Sequence, residues 1–266
     1  MHEIAEQYLR WKKTYTRSAG SSYAPWVRLF DEIGTPDLKT YLSFSERVRA
    51  RYGERSAAYG IAVIHDYVGF LERHHVTDLS QRDIKIPKPR RSPRPHLTTE
   101  EYIAMLTWIR ADTVSGLRDN ALIRMLYDTG ARIGEIASLT RYDIDLKSRT
   151  AEVSTEKTDR RRVIVWGSDT NRFLAEFMEQ QPSGLFPSKR SCERIVRKYA
   201  ELAKIRKHIT CHSFRHTRAH VILDNGGTVK DVQETLGHLH PESSFAYLSL
   251  SRTEAISRSR KFLDLG

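Results

Sequence analysis

Residues 85–97 read KIPKPRRSPRPHL, and no single helix or strand can run through them. Four of the chain's nine prolines fall in this stretch. Each removes a backbone donor and fixes φ, so neither a helix interior nor a central strand continues across it. The stretch reads as an interdomain linker between a first part, residues 1–84, and a second, residues 98–266. At 266 residues the chain is long enough for each part to bury its own core.

The linker is also basic. In extended polyproline form the ten residues from Pro87 to His96 reach about 30 Å, roughly one turn of a DNA duplex. Its five cations either follow a polyanion or keep a solvated tether extended. Lys88, Arg90, Arg91 and Arg94 are the candidate nucleic-acid contacts. The whole chain agrees in sign: 44 Lys and Arg oppose 33 Asp and Glu, a formal charge of +11. Such a balance favours a polyanionic partner without specifying one.

Only Cys192 and Cys211 are present and they form no CxxC pair, which argues against a disulfide framework or a thiolate zinc site and suits a reducing, intracellular setting. The N-terminal MHEIAEQYLRWKK is charged throughout, and no apolar run is long enough to span a bilayer. A soluble, cytoplasmic protein without membrane contact is expected.

Before the linker, IAEQYLRWKK, SSYAPWVRLFDEI, FSERVRARYG and SAAYGIAVIHDYVGFLERHH carry apolar and aromatic residues at helical spacing. They predict a small bundle of about four helices whose aromatics form its core. Arg47, Arg49 and Arg51 are compatible with a DNA-facing surface or with water. After the linker, TTEEYIAMLTWI opens with a capping signal, and GLRDNALIRMLYDTG is a second helix closed by Gly130, with Arg132 at the break before GEIASLT. TAEVSTE and RRVIVW alternate with β-branched residues around a polar tip, which predicts a hairpin with Lys157 at its turn. Helices resume from about Thr170.

HITCHSFRHTRAH, residues 208–220, poses a choice of chemistry. Histidines four apart stack on one helix stripe as in zinc sites, but Arg215 stands among them, and His216 with His220 would need two ligands from elsewhere. No metal or other cofactor is expected. His212 and Arg215, three residues apart, share a helix face and can reach one target while Phe214 turns to the core. A phosphate suits both, since a guanidinium binds two oxygens and an imidazole exchanges a proton near neutral pH. Taken alone, HxxR fits a buried, hydrogen-bonded histidine beside a surface arginine better than it fits a phosphate site. Further on, Thr228 caps a helix with Val229, Val232 and Leu236 inward; Gly237 ends it and places His238 on a turn. Pro241 suits the start of another helix, carrying Tyr247.

Together, TGARIGEI, the hairpin lysine, HSFRH, LGH and the tyrosine nine residues after that last histidine are similar, in order and spacing, to the tyrosine recombinase or phage integrase family. The resemblance covers about residues 97–266 strongly, and residues 1–84 by size and position. It is nearer the small, Xer-like members than the long phage integrases, with no arm-binding domain before the bundle. It implies a mainly α fold with a small β-hairpin or sheet in the catalytic domain, and a SAM-like core-binding bundle completing a C-shaped clamp on DNA. By the same resemblance Arg132 and Arg215 are an arginine pair, Lys157 the hairpin lysine, His212 and His238 the two histidine positions, Tyr247 the nucleophile and Glu135 a supporting acid. Glu135 fits a helix-surface charge equally well. The hairpin reads TEKTDRRR where relatives often have a glycine beside the lysine.

The implied activity is DNA cleavage and rejoining at specific sites through a 3′-phosphotyrosyl intermediate, without ATP or metal, in dimer resolution or in integration and excision of a mobile element. The alternatives are a type IB topoisomerase-like relaxing enzyme and a non-catalytic DNA-binding protein of the same fold. Expected partners are double-stranded DNA and further protomers, a monomer in solution becoming a tetramer across two sites, with an accessory protein also conceivable. The tail, residues 252–266, docks on a neighbouring protomer or folds back on its own domain.

Overall fold

The structure, a computed structural model, describes residues 2–16, 19–89, 95–154, 161–181 and 184–237. The chain divides into two compact units, Met1–Ser92 and Pro93–Gly266, and the boundary falls inside the proline-rich stretch.

In the first unit, α1 (His2–Tyr15), the short α2 (Ala19–Ser22), α3 (Ala24–Ile33), α4 (Leu38–Arg51) and α5 (Glu54–Arg73) form the bundle. Local chemistry sets its breaks. Proline occupies the first turn of α3, where no intrahelical donor is lost. Asp37 caps α4 by accepting the Thr40 N–H at 2.7 Å. The aromatic stripe is the core: Tyr8, Phe30, Phe44 and Tyr67 are fully buried. Each buried phenol finds an acceptor, Tyr8 Oη donating to Asp66 at 2.7 Å and Tyr67 Oη to Asp31 at 3.2 Å. Arg47, Arg49 and Arg51 are exposed.

The second unit is built around α7 (Val114–Thr129), which packs against α9 (Ser168–Gln180) and α11 (Cys211–Asp224). Buried residues on all sides of α7, from Leu117 through Leu126, explain why its sequence lacks a one-sided stripe. Further described α-helices of this unit are α6 (Thr99–Thr107), α8 (Ile133–Ala137), α10 (Lys189–Leu202) and α12 (Val229–Leu236). Thr98 and Glu101 close a reciprocal cap at the start of α6, as TTEEY predicts. Among the described residues the sheet has three strands in the order β1 (Ile144–Asp145), β2 (Thr150–Ser154), β3 (Arg161–Val165), antiparallel throughout. TAEVSTE and RRVIVW therefore pair as expected, while the two-residue β1 is too short to leave a period-2 signal.

The end of the proline-rich stretch belongs to this second core. Leu97 is buried, and its N–H donates to Thr217 Oγ1 at 2.8 Å. His96 stacks on His220 with ring centroids 3.9 Å apart. These bonds hold the incoming chain against α11, the helix that carries His212 and Arg215.

Candidate active site

The site begins where α7 stops. Thr129 Oγ1 donates to the Met125 carbonyl at 2.6 Å and accepts the Ala131 N–H at 3.1 Å, so the last turn is tied off internally. Gly130 then adopts φ +58°, and a Cβ there would come within 2.5 Å of Leu236 Cδ2. Only glycine meets both conditions. The reversal leaves Arg132 as the extended residue before α8.

Glu135 orients Arg132 twice. Its carboxylate accepts the Arg132 backbone N–H at 2.8 Å and Arg132 Nη1 at 2.9 Å. Glu135 is only 3% exposed whereas the Arg132 side chain is 42% exposed, so the acid is an interior anchor and the guanidinium reaches toward solvent. Burial by itself would raise the Glu135 carboxyl, but the nearby Arg162 charge and the bonds from both arginines outweigh it and hold the group below the usual glutamate range. Glu135 is thus no surface charge.

Arg215 comes from α11 and is 2% exposed. Nη1 donates to the Gly130 carbonyl at 2.9 Å and Nη2 to the Leu236 carbonyl at 2.5 Å. One guanidinium thereby joins the end of α7 to the end of α12, two residues of chain from Arg132. His212, one turn earlier on the same helix, is exposed, with its ring edge-on to buried His216 at 4.7 Å. In HxxR the arginine is therefore buried and the histidine exposed, the reverse of the ordinary structural arrangement. Phe214 is fully buried, as its phase on the helix predicts.

The structure adds one residue that sequence reasoning passed over. Arg162 lies on β3 opposite Val153, on the core-facing side shared by Ile164 and Ala151. It donates Nη2 to Glu135 Oε2 at 2.8 Å and Nη1 to the Thr235 carbonyl at 2.8 Å. Strand parity was the available signal: in RRVIVW an arginine occupies the inward phase.

Arg132, Glu135, Arg162 and Arg215 thus converge around the ends of α7 and α12. Three guanidiniums against one carboxylate leave a fixed positive surplus suited to an anion with several oxygens. Lys157, His238 and Tyr247 lie outside the described residues, as do Arg90, Arg91, Arg94 and the tail 252–266. Lys88 is exposed, and His208 precedes α11 on the surface. Among the described residues no group of three or more His, Cys, Asp or Glu could hold a metal ion, and no helix is long and apolar enough to cross a membrane.

Comparison with known proteins follows the same lines. The model of the phage integrase family matches residues 95–254. The chain is 29% identical over 201 residues to tyrosine recombinase XerC 2 of Ralstonia nicotianae, a match covering 69% of this chain and 58% of that protein. To tyrosine recombinase XerC of Chlamydia trachomatis it is 26% identical over 232 residues, covering 81% of this chain and 72% of the relative. Among solved structures, the Tn1549 transposon integrase in complex with transposon right-end DNA superposes with a TM-score of 0.78 at 15% identity, covering 98% of both chains. A lambda integrase dimer bound to a COC′ core site gives 0.75 at 16% identity, covering 93% of this chain and 76% of that one. Identities this low establish a shared mainly helical fold.

Proposed function

The chain belongs to the phage integrase family, and on that premise we propose that it is a tyrosine site-specific recombinase, which cuts, exchanges and rejoins double-stranded DNA. The arrangement of the two arginines carries the reading. Arg215 is fixed between the Gly130 and Leu236 carbonyls, and Arg132 is aimed by Glu135 two residues beyond that glycine. Relatives named tyrosine recombinase add support and favour strand exchange over simple relaxation.

In this reading the guanidiniums of Arg132 and Arg215 hold the non-bridging oxygens of one phosphodiester and offset the charge that builds up in the transition state. Tyr247 Oη attacks phosphorus as the bond to the 5′-oxygen breaks, giving a 3′-phosphotyrosyl ester and a 5′-hydroxyl. His212 assists removal of the phenolic proton, Lys157 protonates the departing 5′-oxygen, and His238 hydrogen-bonds the phosphate. One ester replaces another, so the 5′-hydroxyl of a second strand reverses the step on the same phosphorus and releases Tyr247 without ATP. His238 directly follows Gly237, and the residues just before it are tied down by Arg215 at Leu236 and Arg162 at Thr235.

Double-stranded DNA is the partner, with Lys88, Arg90, Arg91 and Arg94 following its backbone. Four protomers act across two sites, with residues 252–266 docking on a neighbouring protomer. The protein works in the cytoplasm, at the nucleoid. The test is a nicked suicide DNA site: wild-type protein becomes covalently attached and Tyr247→Phe does not. A DNA-binding protein without turnover would shift the site and form no adduct, and a topoisomerase-like enzyme would relax plasmids lacking it. Lys157→Ala should fail on a normal strand yet cleave one with a 5′-sulfur leaving group, and equal loss on both would remove Lys157 from the acid role.

A further inference from the structure

Arg162 has a location that packing does not explain. It occupies the core-facing phase of β3, opposite Val153 and two residues from buried Ile164, where an aliphatic side chain would continue the apolar face. Its side chain is 14% exposed, and its Nε is buried with no hydrogen-bond partner among the described residues. Burying a guanidinium this far is costly unless a carboxylate compensates it. Glu135 does so at 2.8 Å, while the other arm of the fork donates to the Thr235 carbonyl at 2.8 Å. The next turn is shaped to the arginine as well: a Cβ at Gly237, where φ is +64°, would lie 2.7 Å from Arg162 Cδ.

The charge count gives this position a consequence. Glu135 bonded to Arg132 alone would make a neutral pair and leave Arg215 as the single unbalanced cation. With Arg162 on the second carboxylate oxygen, Glu135 is neutralised from the protein interior, and the charge of Arg132, the more exposed of the two, remains for an anion. The same fork anchors the end of α12, from which the chain runs on to His238. Resting on the recombinase reading, we propose that Arg162 is a positioning residue of the cleavage site: it takes up the charge of Glu135 so that Arg132 keeps its own for the scissile phosphate, and it fixes the end of α12, two residues before His238 in sequence.

A double-mutant cycle on the suicide substrate tests this. Wild-type protein is the control for the parent reading, because absence of its Tyr247 adduct would remove the recombinase assignment and leave Arg162 nothing to position. With that adduct in hand, Arg162→Met should slow its formation about 10- to 100-fold at saturating DNA, the usual cost of misplacing a catalytic group through its support. Affinity for the uncleaved site should change less than about threefold, because one buried support makes no phosphate contact of its own. Adding Glu135→Gln to Arg162→Met removes the charge that Arg162 balanced and should recover at least about a third of the loss on a logarithmic scale. A purely structural role predicts no recovery, since two lesions in one cluster would compound. Arg162→Lys keeps the charge but cannot reach Glu135 and Thr235 together, so its rate should fall between wild type and the methionine variant. A folded Arg162→Met within twofold of wild type, or no rescue by Glu135→Gln, overturns the proposal. Should the methionine variant not fold, a wild-type rate for Arg162→Lys overturns it equally.

Discussion

Among the described residues of the second unit, Asp119 and Glu135 are buried carboxylates, and their surroundings differ in the way that separates a structural anchor from a candidate site. Asp119 on α7 accepts two bonds from its neighbour Arg118, at 2.7 and 3.0 Å, and one from Tyr199 Oη at 3.0 Å. One cation meets one anion and the account closes. Burial first, and the Asp119 charge second, push the Tyr199 phenol up to about 12, so it stays a proton donor to the carboxylate. Glu135 instead faces two guanidiniums from different elements, with a third close by, and the surplus charge lies beside a half-exposed arginine. A buried acid by itself says little about function. An excess of fixed cations around it, open on one side, marks a place for a polyanion.

The comparison can be broken experimentally. The largest effect should come from Arg215→Ala, which removes the proposed phosphate donor and unties the ends of α7 and α12. Cleavage of the suicide site should fall by about 10²–10³ per folded molecule, the usual cost of one transition-state donor. A fall of less than tenfold would mean that Arg215 serves the fold alone. Asp119→Ala should act in the opposite way, destabilising the unit by about 2–4 kcal/mol in urea unfolding because it strands Arg118 and the Tyr199 hydroxyl. Its cleavage rate per folded molecule should stay near wild type, and a large rate loss without destabilisation would erase the contrast. The smallest effect should appear in the acid limb of stability. Glu135 is held below its ordinary value, so its stabilisation is fully present above the unfolded value, about 4.3, and is lost as pH falls through the folded one. In Glu135→Gln that loss should be missing, which unfolding midpoints from pH 6 down to pH 3 would register as a flatter decline.

The buried tyrosines sharpen the same distinction. Burial, with Asp66 and Asp31 adding to it, raises the phenols of Tyr8 and Tyr67 far above their ordinary value, and burial raises Tyr102 as well. These rings keep their protons and serve packing. The helical stripe predicted that role for the aromatics before the linker.

Much of this was legible from residue order. Proline density placed a break that falls where the two compact units meet. Gly130 and Gly237 closed their helices with the left-handed backbone expected of them. The order and spacing of TGARIGEI, HSFRH and LGH resemble the phage integrase family, and it is that resemblance which implied one shared target for their residues. Three things were not legible. Glu135 fitted a surface charge as well as a supporting role, because helical phase alone does not say which face another element will cover. HxxR did not disclose that its arginine is the buried member, which follows from the Gly130 and Leu236 carbonyls converging on one guanidinium across 85 and 21 residues of sequence. Arg162 carried a parity signal, but an inward-phase arginine is an error or an anchor according to whether a carboxylate waits opposite.

The amino-acid order by itself determined where elements start and stop, since caps, glycines and prolines act within a few residues through backbone geometry. It also determined which side chains were chemically fit to bind a phosphate. Tertiary structure decided which charges face one another, and so which arginine is spent on Glu135 and which is left over. Coulomb interactions depend on distance and burial, and packing α7, β3, α11 and α12 around one point sets both.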